Sequence, residues 1–147
     1  MPQIERPKVQ LESPFGALTR EGIITNVAYA LIAMRDSLKN HGEAPFASHL
    51  LYTQMLDDTD PLERDMGIEA GLVIGANADY TVVYQDLGIS RGMHYGIDRA
   101  EREGRAVIYR QLYEQTVTSQ QLEASIREGS PLPLELIGTL YARTHQA

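Results

Sequence analysis

The chain contains no cysteine among its 147 residues. This absence excludes a disulfide framework, a thiolate zinc site and a cysteine nucleophile. Tryptophan is also absent and phenylalanine occurs twice, so the eight tyrosines are the main aromatic residues. No apolar run approaches the roughly 20 residues that a membrane-spanning helix needs, and the N-terminus does not resemble a secretory signal. We therefore expect a cytoplasmic protein that has no membrane partner.

Basic residues are scarce, because 13 Lys and Arg stand against 20 Asp and Glu for a net charge of −7. A surface of this sign repels phosphate backbones, so we expect no nucleic-acid polymer as a partner. The four histidines show no H-x-x-x-H spacing, and the acidic run at 57–60 is typical of a solvated turn that caps a helix. The sequence therefore predicts neither a metal nor another cofactor.

Strand-like and helix-like segments alternate along the first 112 residues. Apolar alternation and β-branched runs predict strands at 8–13, at the start of 44–51, at 80–84 and at 106–109. Three- and four-residue apolar spacing predicts helices at 26–39, 62–74, 91–103, 118–128 and 134–144. This order is typical of a doubly wound α/β fold with a parallel sheet of about four to five strands. We predict such a domain at 1–112 and a helical C-terminal extension at 113–147.

Ligands of such sheets bind at the carboxyl ends of the strands, where the loops are residues 13–17, 48–58 and 85–92. The first loop contains Ser13, Pro14, Phe15 and Gly16, which form either a ligand-binding loop or an ordinary turn. In the second loop, Ser48 and His49 either contact a sugar or phosphate or only satisfy the loop.

Two further segments carry candidate residues for chemistry. A predicted helix opens with Ser90, Arg91, Gly92 and Met93, and its N-terminus favours an anion, although a plain helix cap is the alternative. Asp86 follows the strongest strand, and Glu69 lies among apolar neighbours on a helix. Both are candidates for carboxylate catalysis, and the alternative for Glu69 is an ordinary surface glutamate.

Several strings together resemble the nucleoside 2-deoxyribosyltransferase-like superfamily, and more closely an uncharacterised branch common in phages and bacteria. They are Ser-Pro-Phe at 13–15, Ala-Pro-Phe-Ala-Ser-His at 44–49, Glu-Arg at 63–64 with Gly-Ile at 67–68, and Gly-Ile-Ser-Arg-Gly-Met at 88–93. The resemblance implies a flavodoxin-like fold and enzymes that cleave or transfer the bond between a deoxyribose and a base. It also implies a glutamate nucleophile assisted by an aspartate. The nucleophile's position is occupied here by Gly96.

The resemblance implies a nucleoside or nucleotide ligand. Phe15 would stack on it, Ser48 and His49 would contact sugar or phosphate, and residues 90–92 would hold a phosphate. One hypothesis is an enzyme acting on the N-glycosidic bond, with Glu69 or Asp86 as the carboxylate. A second is a non-catalytic protein that binds a nucleotide or cyclic nucleotide, which Gly96 favours. A third is a structural oligomer with a vestigial pocket.

Members of the superfamily are often oligomers, so we expect a homo-oligomer. In such an assembly, Tyr109, Tyr113 or Tyr141 would be able to reach the pocket of a neighbour. The alternative for the last two helices is that they cover the core of their own chain.

Overall fold

The computed structural model describes residues 5–142, and at its centre is a four-stranded, all-parallel sheet in the order β2-β1-β3-β4. The strands are β1 Lys8–Glu12, β2 Ala44–Phe46, β3 Tyr80–Tyr84 and β4 Ala106–Arg110. The helices are α1 Arg20–Asn40, α2 Ser48–Leu51, α3 Pro61–Gly75, α4 Arg91–Arg102, α5 Ser119–Glu128 and α6 Leu134–Leu140, and a 3-10 turn, Tyr52–Gln54, follows α2. The predicted α/β class and parallel, flavodoxin-like sheet are confirmed.

The two faces of the sheet are covered by different helices. α5 and α6 pack on α1, and the main core lies on this side, where Val9 and Leu11 of β1 join Ile126 and Ile137. α3 and α4 contact each other on the opposite face, where Val83 packs against α4. The crossovers from β1 and β3 run in opposite directions, so the carboxyl ends of these two strands frame the crevice where such folds bind ligands.

Two predicted boundaries differ from the structure. α1 begins at Arg20 rather than at residue 26, because the side chain of Thr19 caps it by accepting a 3.0 Å hydrogen bond from the N–H of Gly22. β2 ends at Phe46 and is followed by α2, where a loop was predicted. α2 packs closely on α3 because Gly71 has no side chain: a Cβ there would lie 2.6 Å from the Cβ of Ser48.

The C-terminal helices contribute to the core of their own chain. Tyr141, just after α6, is buried, and its hydroxyl donates a 2.7 Å hydrogen bond to the carbonyl of Leu50. α6 ends at Leu140 rather than continuing to 144, and residues 143 and 144 lie outside the described residues. Among residues 5–142, no helix has the length and apolar character needed to cross a membrane.

A buried ion pair joins Glu43, the residue just before β2, to Arg110 of β4, the strand at the opposite edge of the sheet. Glu43 is almost fully buried and receives two hydrogen bonds from Arg110, at 2.7 and 2.6 Å, besides bonds from Ser37 and Tyr80. Burial alone would raise the pKa of Glu43, but these bonds outweigh it and hold the pKa at about 2. The pair is therefore charged at neutral pH and lies apart from the crevice at the strand ends.

Candidate functional site

A cavity of about 530 Å³ opens at the carboxyl end of β1. Its walls come from β1 and the loop after it, from α2 and the 3-10 turn, from one side of α3, and from the first turns of α4. This volume lies within the range of small-molecule sites in proteins. The cavity lies on the α3 and α4 face of the sheet.

Nine of the ten residues predicted to bind a ligand line this cavity, and they come from all three predicted loops. They are Ser13, Phe15, Gly16, Ser48, His49, Ser90, Arg91, Gly92 and Met93. Pro14 is buried and is not part of the lining. The two predicted catalytic carboxylates are elsewhere: Glu69 is exposed on α3, and Asp86 is not among the lining residues either.

A different carboxylate, that of Glu12, occupies the cavity. Glu12 is the last residue of β1, and its carboxylate lies directly over Gly96 of α4. A Cβ at position 96 would lie 2.5 Å from Oε1 and 2.7 Å from Oε2 of Glu12, closer than real contacts allow. Glycine at 96 is therefore what makes room for this carboxylate.

The surroundings of Glu12 favour its neutral form. Burial raises the pKa of Glu12 to about 8, and the neighbouring side chain of Gln10 opposes this rise only in part. Gln10 is itself buried and lines the same cavity, and its Oε1 has no hydrogen-bond partner among the described residues. At pH 7 most molecules consequently carry a protonated Glu12.

A serine–histidine pair forms the neighbouring part of the wall. Nε2 of His49 lies 2.7 Å from Oγ of Ser13 in a hydrogen bond. Burial lowers the pKa of His49 to about 4, so the imidazole is neutral at physiological pH. A neutral histidine bonded to a serine hydroxyl can position a polar ligand atom and bring no charge to the site.

Besides Arg91, the cavity is lined by a second arginine, Arg64 of α3. Its Nη2 lies 3.6 Å from where a Cβ of Gly92 would be, so the guanidinium sits beside the first turn of α4. Asp58 is 3.8 Å from Nε of Arg64, and burial raises the pKa of Asp58 although Arg64 lowers it. A helix N-terminus and an arginine together favour a ligand that carries an anionic group.

The carboxylate of Asp86 stabilises the fold by hydrogen bonds to three other residues. It accepts a 2.6 Å hydrogen bond from the hydroxyl of Tyr29 and further bonds of 2.8 to 3.0 Å from the N–H groups of Leu112 and Tyr113. Tyr29 is fully buried, and its pKa is raised by burial and by Asp86. Asp86 therefore joins the end of β3 to α1 and to the chain that leaves β4.

Phe15 lines the cavity and packs on Tyr141 of its own chain, with ring centroids 5.7 Å apart. Of the three tyrosines considered for a neighbouring pocket, Tyr141 thus lies next to the cavity of its own chain. Within residues 5–142, no cluster of three or more His, Asp or Glu side chains is arranged to hold a metal ion.

Sequence reasoning missed Glu12, Gln10 and Asp58, and it did not assign a role to Arg64. A signal for the first two was present in the alternation of β1. Val9 and Leu11 face the main core, so Gln10 and Glu12 must point to the other face of the sheet. Polar side chains on both of those positions, in a sheet that helices cover on both faces, indicate a functional surface.

Comparison with known proteins identifies a family to which most of the chain is similar. No curated protein and no solved structure matches the chain. A family model matches residues 7–110, which include all four strands and every element that lines the cavity. Since this match covers well over half of the chain, the protein belongs to the family described as Domain of unknown function (DUF7768).

Proposed function

We propose that this protein binds a nucleoside or nucleotide in the cavity and cleaves or transfers its N-glycosidic bond, with Glu12 as the catalytic carboxylate. The observation that carries the proposal is the carboxylate of Glu12 in the space above Gly96. The resemblance to the nucleoside 2-deoxyribosyltransferase-like superfamily predicts a nucleophile at position 96. Glycine there removes one carboxylate, and β1 supplies another at the same point.

The lining of the cavity supports a ligand of this class. Phe15 offers an aromatic ring for a base or sugar, and the Ser13–His49 pair offers hydrogen bonds to hydroxyl groups. Arg64 and the first turn of α4 suit a phosphate. A small molecule fits these features, whereas the net charge of −7 disfavours a nucleic-acid polymer.

The proposed chemistry follows from a carboxylate near an anomeric carbon. Ionised Glu12 attacks that carbon and forms an ester bond, while the C–N bond breaks and its electron pair leaves with the base, which takes up a proton from solvent water. Water then attacks the same anomeric carbon, the bond from this carbon to the Glu12 oxygen breaks, and the water gives up a proton to solvent, which frees the Glu12 carboxylate and the sugar. Alternatively a second base attacks that carbon, releases Glu12 in the same way and gives a new nucleoside. His49 lines the same cavity and is neutral at physiological pH, so it adds no charge to the site.

A second candidate is a protein that binds the same ligand without cleaving it. The raised pKa of Glu12 favours this candidate, because a protonated carboxyl donates a hydrogen bond but does not attack carbon. The two candidates share the cavity and the ligand class, and they differ in the fate of the ligand.

The test is a panel of common nucleosides, deoxynucleosides, their 5′-monophosphates and cyclic nucleotides. Thermal shift reports binding, because a ligand of the folded state raises the melting temperature, and chromatography reports free base. We expect a shift together with release of base. A shift with recovery of intact ligand would leave only the binding protein, and neither signal for any compound would contradict both candidates.

Three variants separate the carboxylates. Glu12→Gln keeps the size of the side chain and should abolish base release, by a factor on the order of 10³ or more, while the ligand still shifts the melting temperature. Glu69→Gln tests one of the two carboxylates that the sequence suggested, and Glu123→Gln is a matched control on the exposed surface of α5. Loss of activity in Glu69→Gln and not in Glu12→Gln would contradict the proposed role of Glu12.

A further inference from the structure

The outer edge of the sheet, at β4, has no neighbouring strand or proline to protect it within residues 5–142. Within the described residues β4 pairs with β3 alone, and the sheet ends there. Ile108 is 40% exposed and Tyr109 is 46% exposed, although both belong to a strand of the sheet. Edge strands with exposed apolar side chains are ready to pair with another extended chain.

The opposite edge shows the protection that β4 lacks. β2 has three residues and contains Pro45, which has no N–H to donate. Short strands and prolines are the usual means by which edge strands avoid pairing. β4 has five residues without proline, and its charged residue, Arg110, is bonded to Glu43 of its own chain.

The backbone of β4 has a defined outward side. The carbonyl of Arg110 accepts a 3.0 Å hydrogen bond from the N–H of Gln85, so Arg110 directs its backbone groups toward β3. Because successive residues of a strand direct these groups to alternate sides, Ile108 and Ala106 do the same. Val107 and Tyr109 direct their N–H and carbonyl groups outward.

We propose that β4 pairs in antiparallel fashion with β4 of a second copy of this chain, across a two-fold axis, to give a continuous sheet of eight strands. A two-fold axis at Ile108 keeps all five residues of each strand paired. It sets Val107 opposite Tyr109 of the second copy in two hydrogen-bonded pairs, which satisfies the outward groups of both strands. Arg110 then faces Ala106 of the second copy rather than a like charge.

The sequence of β4 suits this partner because the strand is complementary to itself. Aromatic and β-branched residues stabilise each other across antiparallel strands, and the axis creates two such pairs from Val107 and Tyr109. Ile108 meets Ile108 of the second copy in a non-hydrogen-bonded pair, where the two Cα atoms are about 4.5 Å apart.

The exposed apolar face of α3 is a competing candidate for an interface between two copies, so variants on this face serve as controls. The outer face of α3 exposes Leu62, Met66 and Val73, and Met66 is 59% exposed. An interface on α3 would leave β4 unpaired, so the two arrangements predict different cross-links.

The absence of cysteine in the chain makes cross-linking clean. Ile108→Cys should form a disulfide-linked dimer on mild oxidation, since about 4.5 Å between Cα atoms lies within the range that a disulfide bridges. Tyr109→Cys should cross-link poorly, because the two residues 109 would be about 9 Å apart. Met66→Cys is the matched exposed control. Cross-linking of Ile108→Cys that is no faster than that of Met66→Cys overturns the proposal.

Sedimentation equilibrium of the unmodified full chain gives a second, independent readout. We expect a dimer that Ile108→Lys converts to a monomer with an unchanged circular dichroism spectrum, because the two lysines would face each other across the axis. Met66→Lys should remain a dimer. A monomeric wild type, or a dimer that only Met66→Lys dissociates, overturns the proposal.

Discussion

Replacing Glu12 by glutamine should change how the stability of the protein depends on pH. The pKa of this carboxyl is about 8 in the folded protein, against an ordinary value of 4.5 that applies to the unfolded chain. Between these two values the folded state keeps a proton that the unfolded state has released. The folded state therefore loses stability as the pH rises through this range, at about 1.4 kcal/mol per pH unit.

The size of the effect follows from the two pKa values. Over the full interval from pH 4.5 to 8, the free energy of unfolding falls by at most about 5 kcal/mol, and below pH 4.5 the contribution of Glu12 is complete. Since Glu12 lines an open cavity that water can enter, we expect a smaller change, of at least about 2 kcal/mol. In the Glu12→Gln variant, position 12 has no group that titrates between pH 4.5 and 8.

Urea unfolding at several pH values between about 5 and 9 measures this difference directly. The wild type should lose stability relative to Glu12→Gln as the pH rises to 8, and the difference should then become constant. Glu123→Gln, an exposed glutamate on α5, should follow the wild type. A difference between wild type and Glu12→Gln that stays constant within about 0.5 kcal/mol would refute the buried, protonated carboxyl.

Three further predictions test the site and the core. Gly96→Ala should lower the rate of base release at least 10²-fold, because the new Cβ displaces the carboxylate of Glu12. In the double variant with Glu12→Gln, the substitution at Gly96 should cause no additional loss of activity. The value of kcat/KM for base release should rise about tenfold per pH unit up to about pH 8, since Glu12 attacks in its ionised form. If kcat/KM instead falls above pH 8, Glu12 acts as a proton donor and not as the nucleophile. Glu43→Gln should cost about 3–5 kcal/mol in urea unfolding, because it leaves the charge of Arg110 buried without its partner; a loss below 1 kcal/mol would contradict the importance of this pair.

The sequence predicted the architecture because the strongest signals are local. The β-branched run that became β3 and the Asp60–Pro61 start of α3 each encode their element within a few residues. The start of α1 was missed by six residues, since Thr19 caps a first turn that follows no obvious apolar period. α2 was missed because it has only four residues, and its place depends on the close approach of Gly71.

Chain order brings nine of the candidate residues to one cavity, whereas the place of Glu12 and the contacts of Asp86 depend on the tertiary structure. Nine predicted residues line the cavity because the carboxyl ends of parallel strands meet at one edge. Asp86 is at that edge too, but its hydrogen bond to Tyr29, 57 residues earlier in the chain, gives it a structural task that no local pattern shows. The place of Glu12 depends on the contact between β1 and Gly96 of α4, which only the folded structure reveals.

The most direct test of the central claim is mass spectrometry of the protein after rapid acid quench with a deoxynucleoside or deoxynucleotide that it cleaves. We predict that the peptide containing Glu12 gains the mass of the deoxyribosyl group, with its phosphate where the substrate has one, and that the peptide containing Glu69 does not. Two results would contradict the assignment of Glu12. One is an adduct on another residue while base is released at the wild-type rate, and the other is full activity of the Glu12→Gln variant.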